Sequence, residues 1–560
     1  MNLLTDFGRG TPGDLAKARV CRLAVKISRI LPAGRRWGRL LLLLMAAGWM
    51  GLRASGEIVQ SDICVYGGTS SGVTAAVEAV KLGKTVVVVE PGRHLGGLSS
   101  SGLGWTDIGN KAAIGGLSRH FYQQMGHHYG KAEAWTFEPS VAEREFEDQL
   151  REAKVPVYFQ QQLVSVVTNN VRLTELVTQS GDVFRAKMFI DATYEGDLMA
   201  MAGVSYFIGR EANAVYGETL DGIRGATPQH QFLVPVDPYR KAGDSASGLL
   251  PFIQPVSFGR PGDGDQSVQA YNFRLCLTKN PANRKPIEPP AHYDPAQYEL
   301  LGRYFDALAS AHKHVTLGNF LNVDMVTSDK TDINNNGGFS TDYIGGNYNY
   351  PGADYATRER IQAEHLDYTK GLLTYLATSP RVPVNVRREM QTWGLCKDEF
   401  PDTGGWPHAM YVREARRMVS DYVMTEKNCR HVEIVSDSVG LAAYNMDSHN
   451  CRRLVRGGHV ENEGDVEVAP TSPYPIAYRA MVPAVGQCAN LLVPVCLSAS
   501  HIAYGSIRME PVFMILGQSA ATAAAIAIDN QVPVQKVPYD QLRSHLLADG
   551  QVLEWKKSAN

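Results

Sequence analysis

The sequence lacks the residue patterns by which several large enzyme classes are recognised. No C-x-x-C pair occurs among its eight cysteines, so neither an iron–sulfur cluster nor a redox dithiol is supported. It has no G-x-S-x-G elbow of an α/β-hydrolase and no H-E-x-x-H helix of a zinc protease. The close histidine pairs, His127-His128 and His312-Lys-His314, have no carboxylate at ligand spacing, so no metal site is predicted.

The chain also lacks an excess of charge of either sign. Its 55 Lys and Arg residues nearly balance its 57 Asp and Glu residues, for a formal net charge of −2. That balance does not support nucleic acid as a partner or binding to an anionic membrane surface. Heptads, low-complexity tracts and repeats of fixed period are missing as well. With 560 residues, 44% of them hydrophobic, the chain can form more than one globular domain.

The N-terminal segment differs from the rest of the chain. Residues 1–39 carry nine basic residues against Asp6 and Asp14, and residues 40–52 form an apolar run that ends before three small residues. This order is typical of an export signal, and the run is shorter than the ~20 residues of a membrane span. We predict a leader over residues 1–57 and a periplasmic or extracellular protein. A retained membrane anchor is the alternative, and Arg35-Arg36 leaves twin-arginine export open.

What the sequence does contain is a dinucleotide fingerprint. Residues 62–66 read as a strand, Gly67-Gly68-Thr69-Ser70-Ser71-Gly72 as a turn into a helix, and residues 85–89 as a second strand that ends at Glu90. The glycines allow a tight turn and close helix–strand packing, while the amides at the helix N-terminus face a pyrophosphate. Glu90 stands where an acid accepts hydrogen bonds from ribose hydroxyls. The ADP half of a dinucleotide is therefore the predicted ligand.

Two departures from standard fingerprints narrow this prediction. Thr69 replaces the middle glycine of G-x-G-x-x-G, so the close backbone approach falls to Gly68. The G-x-x-x-x-G spacing of a phosphate-binding loop is also present, but Val73 stands where that loop needs lysine. Hydrolysis of a nucleoside triphosphate is therefore excluded.

Residues 90–104, with Arg93 and the second glycine pair Gly96-Gly97, resemble the bacterial FAD-dependent oxidoreductases of the glutathione-reductase-like superfamily. Residues 186–198 resemble the second FAD element of that family, and residues 498–521 its closing flavin-binding element. The resemblance extends over about residues 60 to 530. It implies an α/β fold in which a Rossmann-like FAD-binding domain carries an inserted α+β substrate domain.

The resemblance also implies a set of FAD-binding residues. They are Gly67, Gly68, Thr69, Ser70, Ser71, Gly72, Glu90, Arg93, Gly96, Gly97, Val164, Ala192, Thr193, Arg508, Gly517 and Gln518. A small-residue helix over residues 519–528 would direct its N-terminus at the flavin pyrimidine, where its dipole stabilises negative charge. Arg508 could bind an anionic substrate instead of the flavin.

His449 and His501 are the candidate catalytic residues, since each lies in a segment that resembles the family and has polar neighbours. Oxidation at a flavin needs a group that takes a proton while the hydride leaves, and histidine suits this role. A structural role stays open for both.

In the family that the sequence resembles, the substrate domain is inserted into the FAD-binding domain. The chain is therefore expected to leave the FAD-binding domain and to return to it. We predict the FAD-binding domain over residues 58–203 and 452–560, with the substrate domain over residues 204–451. Long loops over residues 285–295 and 334–350 are expected to cover a site. In an exported protein Cys429 could pair with Cys451, or Cys488 with Cys496, and free thiols are the alternative.

The predicted function is the oxidation of a small polar substrate, such as a sugar or glycan fragment, by two-electron transfer to FAD and then to an unknown acceptor. Several aromatic residues would suit sugar stacking or a packed core: Trp393, Trp406, Tyr343, Tyr348 and Tyr350. Two alternatives remain. Some relatives are labelled xanthan lyases, which act without net electron transfer, and a flavin-binding protein without turnover has the same fingerprint.

Overall fold

The structure is a computed structural model that describes residues 56–225 and 227–556. The leader predicted over residues 1–57 lies outside the described residues, apart from its last two. The strands in chain order are β1 (Ile58–Tyr66), β2 (Val86–Val89), β3 (Val157–Tyr158), β4 (Leu163–Asn169), β5 (Arg172–Thr178), β6 (Val183–Asp191), β7 (Tyr206–Phe207), β8 (Tyr239–Lys241), β9 (Asp244–Leu249), β10 (Leu277–Thr278), β11 (Arg284–Lys285), β12 (Leu321–Met325), β13 (Thr331–Asn335), β14 (Gly394–Cys396), β15 (Arg417–Met418), β16 (Ser438–Ala442), β17 (Met446–Ser448), β18 (Arg452–Arg456), β19 (His459–Glu463), β20 (Val466–Val468), β21 (Tyr474–Ala477) and β22 (Leu491–Leu492).

The α-helices of the described residues, numbered in the same way, connect and cover these strands. They are α1 (Ser70–Lys81), α2 (Gly116–His128), α3 (Pro139–Glu152), α4 (Asp197–Met201), α5 (Asn213–Tyr216), α6 (Glu299–Ser310), α7 (Tyr355–Thr378), α8 (Val384–Met390), α9 (Glu426–Cys429), α10 (His501–Ile507), α11 (Glu510–Asp529) and α12 (Tyr539–Ala548).

The largest sheet among the described residues has 7 strands, in the order β3-β2-β1-β6-β5-β4, with β22 paired to β6. Strands β3, β2, β1 and β6 are parallel to one another, and β22 joins β6 in parallel. The Val86–Val89 strand is buried along its whole length, as a parallel strand covered on both faces requires. With α1 crossing between β1 and β2, this is the predicted Rossmann-like α/β arrangement.

Helix α11 packs against α1 and is longer than the sequence prediction. The predicted helix over residues 519–528 starts too late, because α11 begins at Glu510 with Pro511 in its first turn, where the fixed φ of proline is favourable. Among the described helices α11 is long and apolar enough to cross a membrane, but 94% of its apolar window is buried in the protein. It is a core helix.

A second hydrophobic core is formed mainly by side chains of residues 236–415. It includes buried side chains from α6 and α7, and it buries Trp393 and Trp406, which are 8% and 7% exposed. Most of the surface of these two indole rings is therefore held in the core. Val460 also belongs to this core, although it lies beyond the predicted domain boundary at residue 451.

The cysteines among the described residues are free and buried, so that part of the chain has the free-thiol alternative and neither of the two possible disulfides. The Cys496 thiol lies 3.4 Å from the Thr193 carbonyl, and the Cys451 thiol lies 3.5 Å from the His449 carbonyl. Each thiol therefore has a local partner. Cys276 and Cys396, which the sequence did not single out, have their sulfur atoms 3.8 Å apart.

Candidate active site

The turn between β1 and α1 requires glycine at its first position. Gly67 has φ +100°, and a Cβ there would lie 2.9 Å from the backbone of Ala192 and Thr193. Thr69 takes a different role from the glycine it replaces, because its hydroxyl donates to the Ala192 carbonyl at 2.7 Å and accepts from the Gly72 amide at 3.3 Å. It is thus the N-cap of α1, and the departure from G-x-G-x-x-G leaves the helix N-terminus intact.

Glu90 lies at the end of β2 and faces the glycine turn. Its two carboxylate oxygens accept hydrogen bonds from the amides of Gly68, at 2.6 Å, and Gly92, at 2.5 Å. Burial raises the pKa of Glu90 to about 7, against the effect of these two amides. Each oxygen has a second acceptor position, so the carboxylate can still bind ribose hydroxyls.

A cavity of about 290 Å³, the first cavity, opens at the carboxyl ends of β1, β2 and β6. Ligands of open α/β sheets bind at this edge. Seven of the predicted FAD-binding residues line it: Gly67, Gly68, Thr69, Glu90, Arg93, Gly97 and Thr193. Its wall also contains residues that the sequence did not predict, among them Ser101, Gln162, Tyr194, Glu195, Arg358 and His408.

The lining fits an FAD molecule on two observations. The hydroxyl of Ser101 is buried in the wall without a hydrogen-bond partner among the described residues. The Ser71 hydroxyl, in the first turn of α1 behind the wall, also has no such partner. Glycine is also required in this wall at Gly97, since its φ is +58° and a Cβ there would lie 2.1 Å from the Tyr194 hydroxyl, so no side chain stands between this backbone and the cavity. The residues that would hold FAD are therefore the glycine turn, the α1 N-terminus, Glu90 and Arg93.

The rest of the predicted FAD-binding residues lie behind the wall or away from it. Ser70, Ser71 and Gly72 form the first turn of α1, Gly96 precedes Gly97, and Ala192 packs against the turn. Val164 is 57% exposed, because it alternates along β4 with the buried Leu163 and points outward.

Gly517 and Gln518 lie two turns into α11 and do not line the first cavity. Gln518 accepts a hydrogen bond from the Leu117 amide at 2.9 Å and donates to Glu78 at 3.3 Å. The two residues lie away from the cavity because α11 starts earlier than predicted, so Glu510 occupies the helix N-terminus in their place. Gly517 and Gln518 instead connect α11 to α1 and α2.

Glu510 is a site residue that the sequence analysis missed. Its carboxylate accepts from the Ser70 hydroxyl at 2.5 Å and from the Tyr194 hydroxyl at 2.7 Å. Burial raises its pKa to about 7. Glu510 therefore connects the N-termini of α1 and α11, next to the first cavity. The adjacent Pro511 was the signal that could have marked this helix start.

A second cavity of about 280 Å³ is lined almost entirely by polar side chains. They are Asp107, His230, Arg274, Asn322, Asn334, Asn335, Asn336, Tyr411, Tyr444, Asn445, Asp447, His449, Asp465 and Glu467. Tyr411 also contacts Leu98 and Leu103, and Tyr194 of the first cavity packs against that small cluster. Wall residues of the two cavities, Tyr194 and Tyr411, therefore pack in the same small cluster.

His449 is the predicted catalytic residue that reaches a cavity. Its Nδ1 lies 2.8 Å from the buried carboxylate of Asp342, which also pairs with Arg413 at 3.1 Å. The pKa of His449 is lowered by burial and by the Arg413 guanidinium, against the opposite effect of Asp342. With Nδ1–H donated to Asp342, a neutral His449 has its lone pair on Nε2, as a proton acceptor requires.

His501 is held differently. It is 2% exposed, with Nδ1 2.7 Å from Glu414 and Nε2 3.0 Å from the Ser448 hydroxyl. It lines neither the first nor the second cavity. Both nitrogens have partners, which favours the structural interpretation that the sequence left open.

Arg508 is buried behind the second cavity. It donates to Asp447 at 2.7 Å and to the Tyr411 hydroxyl at 2.9 Å. Both of these partners line the second cavity. Arg508 thus acts on that cavity through them rather than by lining either cavity itself.

Histidine and carboxylate groups from distant segments meet at two places among the described residues. In one, His94 has Nδ1 2.7 Å from Glu143 and Nε2 2.9 Å from Asp402, and its ring stacks on His408. Because both nitrogens of His94 are engaged by carboxylates, neither lone pair is free for a metal. The other group contains His230, Asp465 and Glu467 in the second cavity.

Comparison with known proteins supports the cofactor. The family model described as FAD dependent oxidoreductase matches residues 62–546. No match is found among curated proteins.

Solved structures with local similarity include a thioredoxin reductase from T. acidophilum, with 16% identity over 28% of this chain and 40% of that one, and a TM-score of 0.18. An L-amino acid deaminase from Proteus vulgaris has 16% identity over 24% of this chain and 54% of that one, with a TM-score of 0.21. The matches thus span about half or less of each of these two proteins. On the match that extends over residues 62–546, this chain belongs to the FAD dependent oxidoreductase family.

Proposed function

We propose that the enzyme oxidises a small, hydroxyl-rich organic substrate, such as a sugar or glycan fragment, in the second cavity. FAD, held in the first cavity, supplies the acceptor for two electrons. The observation that carries this proposal is the Asp342–His449 pair, which presents a proton acceptor to a polar cavity. Tyr411 of that cavity and Tyr194 of the cofactor site pack in the same small cluster.

The lining of the second cavity supports a substrate rich in hydroxyl groups. Side-chain amides both donate and accept hydrogen bonds, and the wall offers five of them, from Asn322, from Asn334 to Asn336, and from Asn445. A hydroxyl group also donates and accepts, so each can be satisfied on such a wall. Asn322, Asn334 and Asn336 each already have a partner in the protein. A hydroxyl-bearing substrate would use the donor and acceptor positions that remain on this wall, and an apolar substrate would not.

The proposed roles follow from the positions of the residues. His449 takes the proton of the substrate hydroxyl or amine at Nε2 as the hydride leaves the adjacent carbon. Asp342 fixes the orientation of the ring and stabilises its protonated form. Arg508 holds Asp447 in place at the wall, where that carboxylate can accept a hydrogen bond from the substrate.

The lyase alternative is disfavoured by the charge of this wall. An acidic sugar would meet the carboxylates of Asp107, Asp447 and Glu467. The guanidinium of Arg274 is already engaged by both oxygens of Asp332, each at 2.7 Å. Like charges in a partly buried cavity repel, so a neutral or positively charged substrate is the better match.

Anaerobic mixing tests the proposal. A true substrate bleaches the oxidised flavin band, and an added acceptor or oxygen restores it, so sugars, sugar acids and amines can be screened in one format. Release of an unsaturated sugar with no colour change would establish the lyase instead. If FAD binds but no compound bleaches it, the flavin-binding protein without turnover becomes the better hypothesis.

A further inference from the structure

Asp465 is a buried carboxylate without a full set of partners. It precedes β20, is 2% exposed, and lines the second cavity. Its Oδ1 atom has no hydrogen-bond partner among the described residues. A buried acceptor that stays unpaired costs about 1–3 kcal/mol, and more when it is charged. The arrangement therefore calls for a donor in the cavity.

The surroundings of Asp465 are negative. Glu467 lies two residues further along the extended chain and lines the same cavity, as does Asp447. His230 offsets part of this charge, because its Nε2 lies 3.2 Å from Glu467. Burial raises the pKa of Asp465 to about 8, with His230 opposing and the carboxylates of Glu467 and Asp447 adding to the rise. A positively charged group would relieve this repulsion.

A metal ion is a poorer match than an ammonium group at this position. His230, Asp465 and Glu467 have ligand atoms within 4.8 Å of one another, which at first suggests a metal. However, Nδ1 of His230 accepts a hydrogen bond from the Gly337 amide at 3.2 Å. A neutral ring then carries its hydrogen on Nε2, where it donates to Glu467 and offers no lone pair to a metal.

We propose that the substrate of the second cavity carries a protonated amino group, and that Asp465, with Glu467 beside it, binds that group. This inference rests on the proposed function and narrows its substrate to amino-bearing compounds such as amino sugars. An ammonium group supplies three donors. Its positive charge beside Asp465 favours the ionised carboxylate, so binding would lower the pKa of Asp465 and form a charge-assisted hydrogen bond. The remaining hydroxyls of such a substrate face the asparagine side chains of the same wall.

Calorimetric titration of the FAD-loaded protein at pH 7 tests the inference with three matched probes: glucosamine, glucose and glucuronate. We expect glucosamine to bind at least about tenfold more tightly than glucose, a ratio that corresponds to ~1.4 kcal/mol. Glucuronate should bind most weakly, because its carboxylate is repelled by the carboxylates of the wall. Asp465→Asn should remove the advantage of glucosamine over glucose. Asp540→Asn, an exposed change in the first turn of α12, is the matched control and should keep it.

The outcomes separate this inference from the proposed function. If glucosamine shows no measurable binding, binds no more tightly than glucose, or keeps its advantage in a folded Asp465→Asn protein, the ammonium site is refuted. The wild-type comparison of the three probes needs no variant, so misfolding of Asp465→Asn does not remove the test. Bleaching of FAD by a neutral sugar, without preference for the amine, would uphold the proposed function and overturn this inference alone.

Discussion

Asp342 determines which nitrogen of His449 is free to take a proton. The two residues are 107 positions apart in sequence, and neither belongs to a recognisable catalytic motif. The sequence identified His449 through family resemblance and placed residues 334–350 in a loop over a site, but it did not identify Asp342 within that loop. Such a pair is created by tertiary packing, so no local pattern could have predicted it.

Replacing His449 with alanine should slow flavin reduction by ~10²- to 10⁴-fold while FAD stays bound, because the proton acceptor is lost. Stopped-flow measurement of the flavin band, with the substrate found in the anaerobic screen, gives this rate constant. His501→Ala is the matched comparison. Since His501 lines neither cavity, that variant should lose thermal stability and keep the parent rate constant. A slow His501→Ala protein with normal stability would restore His501 as a base candidate.

The pH dependence of reduction follows from the lowered pKa of His449. A base acts in its deprotonated form, and a pKa below the ordinary 6.5 means that this form already predominates at pH 7. At saturating substrate the rate constant should therefore decrease with acidification below pH 6.5. An acid-side inflection clearly above 6.5 in the parent enzyme would contradict this assignment.

Glu90→Ala should weaken FAD binding. Each hydrogen bond from ribose to a charged acceptor contributes ~1.5–3 kcal/mol, so loss of one raises the dissociation constant about 10- to 150-fold. Fluorescence titration of the apoprotein with FAD measures the effect, with Glu288→Ala in an exposed loop as the control. Equal affinities of the two variants would move the ribose site elsewhere.

At the scale of elements, the first βαβ unit was well predicted from sequence. The glycine turn and the apolar runs of β1 and β2 depend on local chemistry, and they occur where expected. The start of α11 was missed because the small-residue run from Ser519 is only its second half, and the apolar residues before it read equally well as a buried strand. The exposed position of Val164 was also beyond sequence reasoning, because it depends on which face of β4 the rest of the protein covers.

The contact between α1 and α11 gives a prediction at this scale. Alanine usually stabilises a helix relative to glycine by ~1 kcal/mol, but a Cβ at Gly517 would lie 2.2 Å from the Ser71 carbonyl oxygen. Separating the helices to relieve such overpacking typically costs ~1–3 kcal/mol, so Gly517→Ala should be destabilising on balance. Thermal unfolding measures this, and weaker FAD binding should accompany it because Ser71 lies in the first turn of α1.

Gly352→Ala serves as the control for Gly517→Ala, since a Cβ at Gly352 has no atom within 4 Å. The control should unfold at the parent temperature. If Gly517→Ala is as stable as this control, the two helices are less tightly packed than the structure indicates.

At the scale of the whole molecule, we propose that the mature protein is exported and lacks the leader. Pairing of β1 with β6 begins at Ile58, opposite Val183, so cleavage beyond that point would remove part of the sheet. The mature N-terminus should therefore fall at or before Ile58, in agreement with the leader predicted over residues 1–57. Mass spectrometry of the secreted or periplasmic protein checks this, and an intact Met1 in the cytoplasm would refute export.

The hydrogen bond between Ser70 and Glu510 joins residues 440 positions apart, and this separation limits when the cofactor site can form. A ribosome adds ~5–20 residues per second, so roughly 20–90 s pass between synthesis of these two residues. During that time the first βαβ unit has no α11 to pack against α1. A fully supported FAD site therefore forms only late in synthesis. A chain destined for export must either be kept unfolded until it has crossed the membrane or be completed and loaded with FAD before it leaves.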